Sequence, residues 1–385
     1  MDHTALIEQR RPWLRESELA AGLTQAASGP DTGILLRIIT AFRRAKQAER
    51  DVGVVRDGPW LRIRSDHMGE LTALLEAGRP EPLNAYLQEL AIRQAGHGFF
   101  QGKPTFDVIH ANPSSRRQRL LWIADSVCGL AEWLGVMGVS CPEGRPTVPA
   151  PPPRLDELVA RIESRIGVPL QVPNICGGLF GLAAGGGVVH VRSTTAVYAA
   201  LRIRQLLRDR TLRSLDQSRI CEIGPGIGLV ACILGGLGGG ELTLVDLPEL
   251  NAMQAYFLSQ ALPNHPLTLF AEPAPPTGPT VRIMPDFEFL AGSGGRFDLI
   301  FNQDSLPELD LETVRRYLDL IPSSTRLFLS FNQETRVPAG TPPGAAFLPG
   351  LLPDSSRVRC LERSPSWLRA GYVEELFACG DAATG

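Results

Sequence analysis

Residues 219–234, RICEIGPGIGLVACIL, constrain the fold more than any other part of the chain. A β-branched and apolar run ends in three glycines at alternate positions and passes straight into a second apolar run. Glycines at such a turn let a ligand approach the backbone with no Cβ in the way. Strand, glycine turn and helix together predict the opening of a doubly wound α/β sheet with a nucleotide-type cofactor at the turn. The strand signal recurs in LTLVD, TVRIM, FDLIFN and RLFLSFN, separated by helical stretches such as LPELNAMQAYFLSQAL and LETVRRYLDLI. Strands alternating with helices imply a mostly parallel sheet. SRVRCLE and GYVEELFAC add two further strands, the last antiparallel.

The N-terminal part has a different texture. TGILLRIITAFRRAKQAER, MGELTALLEAG, PLNAYLQELAIRQAG and RQRLLWIADSVCGLAEWLGVMG repeat apolar residues at steps of three and four. Glycine and proline signals separate them, so residues 1–145 read as a mainly α-helical domain, a lid on the acceptor or a dimerisation surface. A hairpin is expected around VGVVRDGPWLRIR, where Asp57-Gly58 signals a turn. The proline-rich residues 146–154 are expected to act as a linker, and 155–385 to form the cofactor-binding domain. Before the alternating part, NICGGLFGLAAGGG reads as a glycine-rich loop, followed by VVHVRS and a long helix, TTAVYAALRIRQLLRDR.

The bulk numbers exclude some partners. With 44% hydrophobic and 21% charged residues and a net charge of −3, the chain has a core and no basic field for nucleic acid or an anionic membrane. Seven cysteines form no C-x-x-C pair, the N-terminus has no apolar signal core, and a cytoplasmic location is expected.

Glycine spacing leaves the cofactor open. Gly224, Pro225, Gly226, Ile227 and Gly228 give G-x-G-x-G, while the register from Gly226 to Ala231 satisfies the dinucleotide fingerprint. Glu222, just ahead of the turn, would repel a pyrophosphate and welcome the cationic groups of S-adenosylmethionine. Asp246 ends the next strand and suits the ribose of either cofactor, with Leu247 beside it.

The segments EIGPGIG, LVDLPELNAMQAYFLSQALP, FDLIFNQDSLPEL, FLSFNQE and SWLRAGYVEELF fall in an order that resembles the bacterial sugar O-methyltransferases. That family is a branch of the class I S-adenosylmethionine-dependent methyltransferases. The likeness spans residues 177–378 and does not reach the helical part. It implies a Rossmann-like methyltransferase domain, S-adenosylmethionine as cofactor, S-adenosylhomocysteine as product, and a hydroxyl of a sugar or glycosylated small molecule as acceptor.

Ligands in open α/β sheets sit at the carboxyl ends of the strands. There, Asp286 and Phe287 would flank an adenine, and Asn302 and Gln303 would lie on the cofactor side. Asp304 is the first candidate for the base that removes the hydroxyl proton, followed by Glu308 and His190. Ser305, Asn332 and Glu334 are candidates for holding the acceptor. By the family likeness, Arg192 pairs with the cofactor carboxylate and Tyr198 covers the site. Some members of such families use magnesium. Asp304, Glu308, Asp310 and Glu312 are oxygen donors for it, but acids starting a helix also serve its dipole, so a metal is not favoured. Two alternatives stay open: an NAD(P)-dependent oxidoreductase of Rossmann type, and a catalytically inactive methyltransferase-like binding protein.

Overall fold

The computed structural model describes residues 3–14, 19–26, 29–52, 64–139, 153–273, 278–333 and 357–380. In chain order, α1 (His3–Arg10) and β1 (Ala21–Leu23) precede five helices, α2 (Thr32–Val52), α3 (Gly69–Ala77), α4 (Pro80–Leu87), α5 (Gly102–Ala111) and α6 (Pro113–Trp133). Then come α7 (Leu155–Ile166), β2 (Phe180–Ala184), β3 (Gly187–Val189) and α8 (Val191–Leu206). The alternating part begins with β4 (Arg219–Ile223), α9 (Leu229–Gly236), β5 (Glu241–Asp246), α10 (Pro248–Ala261), β6 (Leu267–Thr268) and β7 (Thr280–Pro285). It continues with α11 (Asp286–Leu290), β8 (Leu299–Gln303), α12 (Leu311–Ser324), β9 (Leu327–Gln333), β10 (Val358–Pro365) and β11 (Tyr372–Cys379).

The later strands form one sheet of eight, in the order β10-β11-β9-β8-β4-β5-β7-β6. All pairings from β6 to β9 are parallel, and β11 lies antiparallel between β9 and β10. This is the Rossmann-like, doubly wound and mostly parallel sheet expected from the sequence, with its C-terminal antiparallel strand. The chain winds outward from β4 in both directions, so the switch point lies at β4, between β5 and β8. One face carries Ile223, Val245, Ile300, Phe328 and Phe377, packed with Val314, Tyr317, Leu318 and Ile321 of the amphipathic α12. The helix starts where the Asp310 carboxylate accepts the Thr313 N–H at 2.8 Å, and this capping bond accounts for an acid considered above for a metal.

The compact units do not follow the division expected at 146–154. Residues 29–87 belong with 200–385, while 1–28 and 88–199 form the other unit. The reason lies in α10, whose residues from Pro248 to Leu258 are buried all round. A helix buried on both faces needs cover on the side away from the sheet, and α2 packs along it with Ile38, Ala41, Phe42 and Ala45 facing Ala252 and Ala255. Around this packing, the buried Glu249 of α10 meets Arg64, whose guanidinium also grips Glu49. The expected hairpin around Asp57-Gly58 and most of the proline-rich segment lie outside the described residues.

The other unit is helical, with a small antiparallel sheet in the order β1-β2-β3. The stretch read as a glycine-rich loop thus contains a strand, β2, because residues 21–23 pair with it. In this unit α6 is capped by Asn112, which accepts the Ser114 N–H at 2.9 Å, with Pro113 in the first turn. Residues 187–189 form a strand, and α8 begins at Val191, three residues before Thr194, where the sequence pattern started the helix.

Candidate functional site

The glycine turn follows β4 at the switch point. Gly224, Gly226 and Gly228 all take left-handed conformations, with φ of 67°, 59° and 89°. Gly224 has a second reason to be glycine: a Cβ there would sit 2.0 Å from the Ser305 Oγ. The turn is therefore clamped from the β8 side. Ser305 Oγ donates to the Ile223 carbonyl at 3.1 Å, and Asn302 Nδ2 donates to the same oxygen at 2.8 Å. From the other side the Gly224 N–H donates to the Val245 carbonyl at 2.9 Å. Three strands thus hold one turn with its backbone bare.

Two carboxyl groups flank the turn. Glu222 is buried in β4, and burial first, then the charge of Asp246, pushes its carboxyl up to about 8. The repulsion assigned to Glu222 from the sequence needs an ionised side chain. Without ligand the group keeps its proton at neutral pH, and only a nearby cation would draw it into the charged form. Asp246 ends β5 half-buried. Its Oδ1 accepts the Leu247 N–H at 2.8 Å and its Oδ2 accepts from Gln254 Nε2 at 3.1 Å. The two bonds hold the carboxylate at both oxygens, at the strand end where a ribose diol would meet it.

At the end of β7 the Asp286 carboxylate accepts the Phe287 N–H at 2.9 Å, fixing the start of α11. Phe287 is buried, with Phe270 edge-on at 5.7 Å. Asn302 is fully buried, and its Oδ1 accepts from Asn332 Nδ2 at 2.9 Å. Asn332 also donates to Ser330 at 2.7 Å, and its own Oδ1 is buried with no hydrogen-bond partner. An amide oxygen left this way costs free energy unless something else donates to it. Gln303 closes β8, half-buried.

Asp304 stands just past β8 with φ of 67°, a conformation that Asp tolerates better than most residues. Its carboxylate is paired with Arg369, whose guanidinium lies 3.5 Å above the Tyr372 ring centre. Arg369 comes from the turn between β10 and β11, and sequence reasoning missed it. Glu308 ends the short turn Leu306–Glu308, four residues along.

Three expected residues belong to the other unit. Burial, then Arg119 and Arg192, push the His190 imidazole down to about 3, too low a proton affinity for the base role considered for it. Its Nδ1 accepts the Arg192 N–H at 3.2 Å and helps start α8. The Arg192 guanidinium donates to the Gly98 carbonyl at 3.0 Å. Tyr198 is buried with its ring edge-on to Trp133 at 4.7 Å, which is core packing within that unit. Glu334 lies outside the described residues. Among the described residues no cluster of three or more His, Cys, Asp or Glu could hold a metal ion. No helix among them is long and apolar enough to cross a membrane.

No family model matches the chain, and no curated protein matches it. Solved structures similar to it include magnesium protoporphyrin IX methyltransferase from Synechocystis with bound S-adenosylmethionine, at 17% identity over 49% of this chain and 81% of that one, TM-score 0.35. A Thermoplasma acidophilum protein shows 13% identity over 49% of this chain and 90% of its own, TM-score 0.33. An O-methyltransferase family protein from Burkholderia thailandensis shows 14% identity over 49% of this chain and 60% of its own, TM-score 0.31. At scores of this size the fold assignment rests on strand order and direction, not on these likenesses.

Proposed function

We propose that this chain is an S-adenosylmethionine-dependent O-methyltransferase that modifies a hydroxyl of a sugar or glycosylated small molecule. The observation that carries the reading is the juxtaposition at the switch point of a bare glycine turn, a buried Glu222 and a diol-ready Asp246. Such a set suits a ligand with a ribose and a cationic end. When bound, S-adenosylmethionine supplies an electrophilic methyl group on a positively charged sulfur.

In this reading Asp246 accepts the ribose hydroxyls, and the glycine turn lets the ligand come close to its backbone. Glu222 ionises as the cation arrives, because the opposite charge offsets what burial costs it. Asp304 is the base. It stands partly exposed at the end of β8, where its oxygens can take the proton of an acceptor hydroxyl, and Arg369 fixes its direction. Much of the rate in such a transfer comes from holding the reacting groups in line. The rigid network of Asn302, Ser305 and Asn332 beneath the site serves that purpose. Gln303 and Glu308, near Asp304 in sequence, and Arg369, paired with it, support an acceptor rich in hydroxyl groups.

The test is incubation of the protein and S-adenosylmethionine with a panel of sugar nucleotides and glycosides, read by mass spectrometry. The expected result is the gain of one methylene on an acceptor hydroxyl, with S-adenosylhomocysteine formed in equal amount. Reduction of NAD by the same panel, with no methylated product, would support the oxidoreductase instead.

A further inference from the structure

Gln254 of α10 is fully buried, yet its amide is not a core filler. Nε2 donates to the Gly226 carbonyl at 2.8 Å and to Asp246 Oδ2 at 3.1 Å. Oε1 accepts from Asn251 Nδ2 at 3.1 Å. One side chain therefore ties the middle of the glycine turn to the carboxylate at the end of the next strand. Both amide protons of Gln254 are used, one on each element, and Asn251 fixes which way the amide faces by donating to its oxygen. The second Asp246 oxygen is held independently by the Leu247 N–H, so the plane of the carboxylate is set at two points.

We propose that Gln254 is a positioning residue that sets the Asp246 carboxylate for a vicinal diol and locks it to the glycine turn. This rests on the cofactor reading above. A carboxylate free to rotate accepts one hydroxyl readily but meets two at once only in one plane. The Gln254 bridge supplies that plane before a ligand arrives, so the binding free energy is not spent on ordering the side chain. Gln254 thus determines how strictly the site demands both ribose hydroxyls, without touching the ligand itself.

The experiment compares binding of S-adenosylhomocysteine with that of its 2′-deoxy and 3′-deoxy analogues by calorimetry. The parent protein, Gln254→Met and Asn251→Leu are measured. Methionine matches glutamine in length and donates no hydrogen bond. In the parent, loss of either hydroxyl is expected to weaken binding by roughly 30-fold, the size of one hydrogen bond to a charged group. In Gln254→Met the same loss is expected to cost less than about threefold, with Asn251→Leu between the two. Circular dichroism and melting confirm that each variant is folded, and Asn251→Leu keeps the test open if Gln254→Met is not. A folded variant that binds weakly but discriminates between hydroxyls as the parent does overturns the proposal, because a merely structural role would do that. A parent that binds no S-adenosylhomocysteine overturns the cofactor reading and this inference with it.

Discussion

Glu222→Gln is expected to stabilise the ligand-free protein at pH 8.5 by on the order of 4 kcal/mol and to change it little at pH 4.5. The folded state holds a proton on Glu222 up to about 8. An unfolded chain releases it near the ordinary carboxylate value of ~4.3. Between these limits the folded state binds the extra proton, so stability falls as pH rises, by about 1.4 kcal/mol per pH unit. Glutamine removes the slope because it never ionises. His190 acts in the opposite sense: its imidazole gains a proton at about 3 when folded and near ~6.5 when unfolded, so stability falls as pH drops below that upper value. The two groups lie in different units, and melting curves from pH 4.5 to 8.5 for parent and variant separate them. A parent whose stability rises steadily across that range would show that Glu222 is already ionised in the folded protein. Binding of a cation beside Glu222 should also release a proton, which calorimetry in buffers of different ionisation enthalpy detects.

Asp304→Asn is expected to lower methyl transfer by roughly a hundredfold to ten-thousandfold, the range for loss of a general base. Affinity for S-adenosylhomocysteine should stay within about threefold of the parent, since Asp304 is placed on the acceptor side. Asparagine tolerates the left-handed backbone that Asp304 adopts, so the variant adds no strain. Arg369→Ala is expected to lower turnover about tenfold by freeing the carboxylate, and Arg369→Lys to restore part of it. Unchanged turnover in Asp304→Asn moves the base to Glu308, which stands next in the same turn.

Much of the sheet was legible because its signals are local. The run RICEI with three glycines after it, and the acid that closes LTLVD, each declare their place within a few residues. What stayed hidden depends on partners far along the chain. Gln254 looks like one polar residue in an apolar helix until Gly226 and Asp246 are seen on either side of it. Arg369 lies 65 residues from Asp304, and nothing local marks it. The strand inside the glycine-rich stretch exists because residues 21–23 lie beside it. The proline-rich segment pointed to a boundary, but α10 needed cover on its outer face and residues 29–87 provide it. Burial also alters the chemistry of a residue picked out by its position alone. Glu222 stands where expected, but the low dielectric around it protonates the carboxyl, and no spacing rule carries that information.

The most direct test of the cofactor assignment is calorimetric titration of the full chain with S-adenosylhomocysteine and, separately, with NAD, for the parent and for Asp246→Ala. The account predicts saturable binding of S-adenosylhomocysteine with one molecule per chain, weakened by roughly 30-fold or more in Asp246→Ala, and no measurable binding of NAD. Saturable binding of NAD together with no response to S-adenosylhomocysteine would contradict it.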